Sequence, residues 1–334
     1  MGLYISLFPQ LIAGPIIRFH DIASQLLERR VTLEEFSYGC KRFIQGLAKK
    51  VLIANILAAS ADQIFAIPSA ELPGSVAWLG AFCYALQIYF DFSGYSDMAI
   101  GLGRMFGFTF LENFNYPYIS QSIREFWRRW HISLSNWFKD YLYIPLGGNR
   151  RGAPRTYANL ITVFFLCGLW HGASWNFILW GLLHGTFIVF EMLFWERLLQ
   201  RCWRPLRHAY SLLVVLIGWV LFRAETMETA LAFFAAMVGR SPQAGTPYSF
   251  ALYGSRELLT ALTAGIILST PIVPWCQAKL PLATKEPDAV GPSSPSFLSM
   301  ALGSADLLIL ALLFLASTCY LAAGSYNPFI YFRF

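Results

Sequence analysis

Apolar runs recur from one end of the chain to the other, separated by short polar or basic stretches, and this pattern predicts helices that cross a bilayer. From Leu33 to Ile67 a helical period passes Lys41, Arg42, Lys49 and Lys50 before entering Val51-Leu52-Ile53-Ala54, as a helix does when it starts at a basic interface and runs into lipid. Val76 to Phe106 is long enough to span with tilt. Two further runs, Tyr157 to Cys167 and Phe177 to Phe194, flank a glycine-rich turn. Beyond them the pattern predicts a short span from Leu212 to Phe222 closed by Arg223, an amphipathic helix from Glu228 to Val238, and a span from Leu258 to Trp275 kinked or ended by Pro271 and Pro274. The last span is Leu307 to Ala323. Residues 3 to 17 are apolar but too short to cross, and Pro9 and Pro15 interrupt them, so an interfacial or re-entrant segment is expected. Residues 277 to 296, with Pro281, Pro287, Pro292 and Pro295, read as a linker. The fold class expected is an all-α polytopic membrane protein, with residues 1 to 334 forming one membrane-embedded unit.

Composition agrees with this pattern. Hydrophobic residues make up 56% and charged residues 13% of the chain, against about 25% charged in soluble domains. The net charge of +6 does not point to nucleic acid, because the basic residues lie beside apolar spans with tryptophans among them, as on a cytoplasmic membrane face. The six cysteines are scattered without a C-x-x-C pair, and the five histidines lack metal-site spacing, so neither a metal site nor a disulfide frame is expected.

Chemistry is expected at the turn Gly168-Leu169-Trp170-His171-Gly172-Ala173-Ser174-Trp175-Asn176. Both arms of that hairpin end in basic residues, Arg150, Arg151 and Arg155 on one side and Arg197, Arg201, Arg204 and Arg207 on the other. The positive-inside rule puts both ends in the cytoplasm and His171 deep towards the opposite side. An imidazole there can take a proton from a hydroxyl and return it. Asp91 and Asp97 are costly at bilayer depth and are either functional or hydrogen-bonded to helix ends. Residues 113 to 155 interleave Arg124, Arg128, Arg129 and Lys139 with Trp127, Trp130 and Trp137, which suits helices in the interfacial plane with rings at headgroup level; His131 is embedded among them. His184, near Gly181 and Gly185, reads as a packing histidine hydrogen-bonded between helices. Arg128 and Arg129 are candidates for holding donor phosphates, and Trp170, Asn176 and Asp97 complete the candidate substrate contacts. A transporter or non-catalytic subunit of a polysaccharide export complex, with Asp91, Asp97 and His171 as a polar pathway, is the rival reading, but no internal repeat supports it.

Five stretches taken together, Phe8-Pro9-Gln10-Leu11-Ile12-Ala13-Gly14-Pro15, Tyr89 to Asp97, Glu125 to Ser135, Tyr143 to Arg150 and Gly168 to Trp175, resemble the membrane-bound O-acyltransferase (MBOAT) family, in the branch that acetylates bacterial exopolysaccharides such as alginate. The resemblance implies that His171 is the catalytic histidine and His131 a second histidine of the same site. It implies helices around a cytoplasm-facing tunnel and an outward-facing funnel that meet at the histidine. It also implies an acetyl thioester, acetyl-CoA, as donor substrate with no bound cofactor, and a place in the bacterial inner membrane. The expected partners are the lipid bilayer, the exported polysaccharide and periplasmic acetyl-transfer proteins. Peptidoglycan O-acetylation and D-alanyl transfer to teichoic acid are the alternatives within the family. Members usually carry further spans before the Phe-Pro-Gln-Leu segment, so this chain is expected to lack the family's N-terminal spans.

Overall fold

The computed structural model describes residues 2–11, 14–240, 247–279, 297–324 and 326, and among these every regular element is helical. Numbering the helices of seven residues or more, the chain runs through α1 (Phe19–Leu27), α2 (Leu33–Phe65), α3 (Gly74–Met105), α4 (Ile123–Arg129), α5 (Ile132–Phe138), α6 (Ala153–His171) and α7 (Trp175–Arg201). It continues through α8 (Arg204–Arg223), α9 (Met227–Met237), α10 (Arg256–Leu268), α11 (Ile272–Ala278) and α12 (Phe297–Ala322). Among the described residues, four helices are long and apolar enough to cross a membrane, α2, α7, α8 and the Gly303–Ala322 part of α12; α10 and α11, bent by 56° at the Pro271 break, make a fifth if they count as one span. The protein is a multi-pass membrane protein. The segment expected to span at Val76 to Phe106 forms the 32-residue α3, which is not among those four helices, and Leu212 to Phe222 lies within the longer α8; Pro73 precedes Gly74 and Pro205 sits in the first turn of α8, both compatible with a helix start. The residue 3 to 17 segment contains only a four-residue helix, Gly2–Ile5, and a 3-10 turn, Phe8–Gln10. Gln277 and Ala278 of the expected linker close α11, and residues 280 to 296 lie outside the described residues.

The α2–α3 crossing sets the frame of the site. Gly39 and Gly46 of α2 face Gly101 and Gly94 of α3, and at each of the four a Cβ would run into the carbonyl oxygen of its opposite number. Two glycine pairs of this kind let the helix backbones touch, and the close approach brings the cations of one helix onto the carboxylates of the other. Asp97 is held by Arg42 at 2.7 Å and Lys49 at 2.6 Å, and Asp91 by Lys50 at 2.9 Å. The two adjacent lysines both reach α3 from a π-turn spanning Lys49–Ala54. Asp97 is therefore the centre of an ion-pair cluster, and its burial is tolerated because it is paired. The arms of the hairpin, α6 and α7, meet in the same manner: a Cβ at Gly168 would stand on the carbonyl of Phe177, and one at Gly181 on that of Phe164. The 19 residues of α6 give a rod of about 28 Å, close to the roughly 30 Å of a hydrocarbon core.

Candidate active site

α4 and α5 each turn one face into the protein. Ile123, Phe126, Trp127 and Trp130 are buried in the core, so rings expected at headgroup level instead pack inside the protein; Trp137, 39% exposed, is the one nearer the expectation. The start of α4 is tied down twice. Ser122 Oγ accepts the Glu125 N–H, and the Glu191 carboxylate accepts the N–H groups of Ile123 at 2.6 Å and Arg124 at 3.1 Å. Glu191, buried within α7 and also bonded to the Tyr210 hydroxyl at 3.2 Å, satisfies two of the orphan donors of a helix start. That role was not legible in the sequence, where Glu191 is one acid within an apolar run.

Between α4 and α5 the chain turns at His131, whose φ of 44° and ψ of 54° put a non-glycine residue in the left-handed region. Such a conformation costs on the order of 1–3 kcal/mol and needs surrounding support. The support is a short backbone pairing: Asn115 N–H to the Arg129 carbonyl at 2.9 Å and Ile132 N–H to the Asn113 carbonyl at 3.0 Å. The His131 ring is 3% exposed, stands edge-on to Phe92 with centroids 4.6 Å apart, and has Nδ1 3.1 Å from Asn113 Oδ1. His171, the last residue of α6, lies edge-on to Trp180 and Phe222, each at 5.1 Å, and beside Trp170 at 4.8 Å.

The two histidines meet on one small cavity of about 30 Å³, walled otherwise by side chains of α3, α4, α5, α7 and α8, including Trp127, Trp180, Trp219 and Phe222. That volume holds about one water-sized group. Two larger cavities share its walls. One, of about 390 Å³, has Arg124, Arg128 and Lys139 among its lining together with apolar residues such as Leu160, Phe164, Cys167 and Met192, and has Trp127 and Leu134 in common with the histidine cavity. The other, of about 870 Å³, is lined by Asp62, Phe65, Tyr84, Gln87, Ser174, Arg223 and Glu225 among others, and shares Phe222. In this second cavity the Arg223 guanidinium pairs with Asp62 at 2.6 Å and lies over the rings of Phe65 at 5.2 Å and Tyr84 at 5.9 Å.

The remaining sequence candidates separate cleanly. Arg128 lines the 390 Å³ cavity and, among the described residues, makes no ion pair. Arg129 pairs with Glu125 at 2.9 Å and donates to the Asn115 carbonyl at 3.0 Å. Asn176, 3% exposed, spends its amide on the Ala224 carbonyl at 2.6 Å, pinning the hairpin turn to the end of α8. Trp170 is 54% exposed and touches only the flank of His171. His184 lies outside the cavity wall, fully buried between Phe126, Trp127 and Trp180. It packs between helices as expected, but neither ring nitrogen has a hydrogen-bond partner among the described residues. Asn113 and Glu191 are the polar residues of the site that sequence reasoning missed; the Asn115-Tyr116-Pro117 turn nearby was the available hint.

The chain is similar to known membrane acyltransferases over most of its length. The family model for membrane-bound O-acyltransferases matches residues 1–226. The chain is 46% identical over 346 aligned positions to a probable alginate O-acetylase of Azotobacter vinelandii, covering 99% of this chain and 69% of that protein. It is 43% identical over 376 positions to a probable alginate O-acetylase of Pseudomonas aeruginosa, covering 99% and 70%. A peptidoglycan O-acetyltransferase of Helicobacter pylori is 42% identical over 245 positions, covering 71% and 46%.

Proposed function

This chain belongs to the membrane-bound O-acyltransferase family, and we propose that it carries an acetyl group from a cytoplasmic thioester to a hydroxyl of an exported polysaccharide, with His171 as general base. The observation that carries this reading is the shared cavity of His131 and His171, whose walls are also shared by a cavity lined with basic and apolar residues and by another lined with polar and aromatic ones. Arg128, Arg124 and Lys139 suit the phosphates of a donor and the apolar lining behind them suits its arm. The opposite cavity, with carboxylates, an amide and rings, suits a sugar.

In the reaction the hydroxyl oxygen bonds to the thioester carbonyl carbon as its proton passes to the imidazole. The C–S bond then breaks, and the imidazolium returns the proton to the thiolate, so the protein ends unchanged. General base catalysis of this kind is worth roughly 10²- to 10⁴-fold. No protein nucleophile is needed. The relatives' names favour alginate or a similar polymer as acceptor; the bacterial inner membrane as the location, and periplasmic proteins that complete the transfer, belong to the proposal on the family resemblance alone. Membranes carrying the protein, supplied with radiolabelled acetyl thioester and acceptor, should move label to polymer, and His171→Ala protein inserted at normal levels should not. Label that stays on the donor with wild-type protein would favour a transport role, and transfer by the His171→Ala protein would reject His171 as base.

A further inference from the structure

His131 has two possible parts in such a site, and which it plays depends on which ring nitrogen carries the proton; the network behind the ring decides this. Asn113 is fully buried. Its Oδ1 lies 3.2 Å from the backbone N–H of Ser133. A backbone N–H can only donate, so the orientation of the amide is settled. Nδ2, at the other side, donates to Ser96 Oγ at 3.2 Å. Ser133 Oγ accepts the Ile16 N–H at 3.0 Å, which leaves its hydrogen for Asn113 Oδ1 at 2.9 Å. The same Oδ1 stands 3.1 Å from His131 Nδ1, and an acceptor at that place requires a hydrogen on Nδ1. A neutral imidazole carries one hydrogen, so Nε2 keeps its lone pair.

We propose that Asn113 is a positioning residue that locks His131 as the Nδ1–H tautomer, so that the ring offers the reaction cavity a proton acceptor and not a donor. This rests on the acyl-transfer reading above and narrows it. A neutral His131 held in this way cannot polarise the thioester carbonyl, which needs an N–H; its Nε2 can only accept a hydrogen bond within the cavity, while His171 remains the base that takes the hydroxyl proton. The charge balance is the one already given, with the proton leaving the hydroxyl as the O–C bond forms and returning to the thiolate as the C–S bond breaks. Among the described residues that wall the cavity, His171 is the only other titratable side chain; the remainder, from α3, α4, α5, α7 and α8, are apolar or indole groups.

The tautomer is read directly from ¹⁵N spectra of histidine-labelled wild-type protein, the five histidines being assigned with a His131→Asn variant. A hydrogen on Nδ1 of His131 is expected; a hydrogen on Nε2 overturns the proposal. In kinetics, Asn113→Leu should lower kcat by about 10- to 100-fold, the usual cost of removing a group that orients a functional histidine, with KM for the thioester unchanged. Asn113→Asp keeps an acceptor and stabilises the imidazolium, so it should recover part of kcat and move the acidic limb of the pH profile upward, because a base with a raised pKa is neutral only at higher pH. Asn113→Asp no better than Asn113→Leu, with an unmoved limb, would reduce Asn113 to packing and overturn the proposal. A wild-type kcat in Asn113→Leu alongside an inactive His171→Ala protein defeats this inference alone, whereas transfer that survives His171→Ala defeats the reading beneath it.

Discussion

Trp130-His131 and Trp170-His171 are the same dipeptide in opposite settings. Trp130 and His131 are 4% and 3% exposed, the backbone is left-handed at the histidine, and Nδ1 is tethered to Asn113. Trp170 is 54% exposed, and His171 closes a helix at a glycine. One ring is held in a single orientation by a network that reaches α3 through Ser96; the other closes α6 among the rings of Trp170, Trp180 and Phe222. The two rings reach one cavity by different means, one tethered by hydrogen bonds and the other packed among aromatic rings.

Substitutions that treat the two dipeptides alike sharpen this contrast, and the largest effect belongs to the histidines. His171→Gln should cost roughly 10² to 10⁴ in kcat, His131→Gln less, and the double variant no more than His171→Gln alone, since groups acting in one step are not additive. A larger loss from His131 than from His171, measured as initial rates of acetyl transfer, would reverse the assignment. Next comes the support behind the held ring. Asp97 follows Ser96 on α3 and carries two cations, so Asp97→Ala takes the carboxylate from Lys49 and leaves Arg42 paired with Glu112 alone; it should destabilise the protein by about 1–3 kcal/mol, read as a lower melting temperature in detergent. An unchanged melting temperature would return Asp97 to the list of substrate contacts. Third, Arg128→Ala should raise KM for the thioester about tenfold with kcat retained, as loss of one charge-assisted contact does, while Arg129→Ala leaves KM as it was. Equal effects from the two would mean that the Glu125 pair does not hold Arg129 back. The smallest effect belongs to the exposed dipeptide's indole: Trp170→Phe keeps an edge-on ring beside His171 and should change kcat by about twofold or less.

Asp97 and Asn176 show where sequence reasoning stops. Each is a polar residue in an apolar or turn segment, and each was a candidate substrate contact; yet one is consumed by Arg42 and Lys49 and the other by the Ala224 carbonyl. Burial and polarity can be read from position along a run, but the partner of a buried polar group lies far away in the chain, 55 residues for Arg42 and Asp97. Glu191 and Asn113 were missed for the same reason, since their partners come from other helices.

The hydrophobic pattern alone determined that the chain is helical and multi-pass, roughly where each helix starts and stops, and that His171 sits at a hairpin tip, because these follow from local period, proline placement and charge at helix ends. Tertiary structure alone decided which side chains wall the cavity that His131 and His171 share, that Trp127 and Trp130 turn into the core, and which buried charges pair with which. Those outcomes depend on how closely the α2–α3 glycine pairs let two backbones approach and how a π-turn rotates Lys49 and Lys50 inward, distances and rotations that no linear spacing encodes.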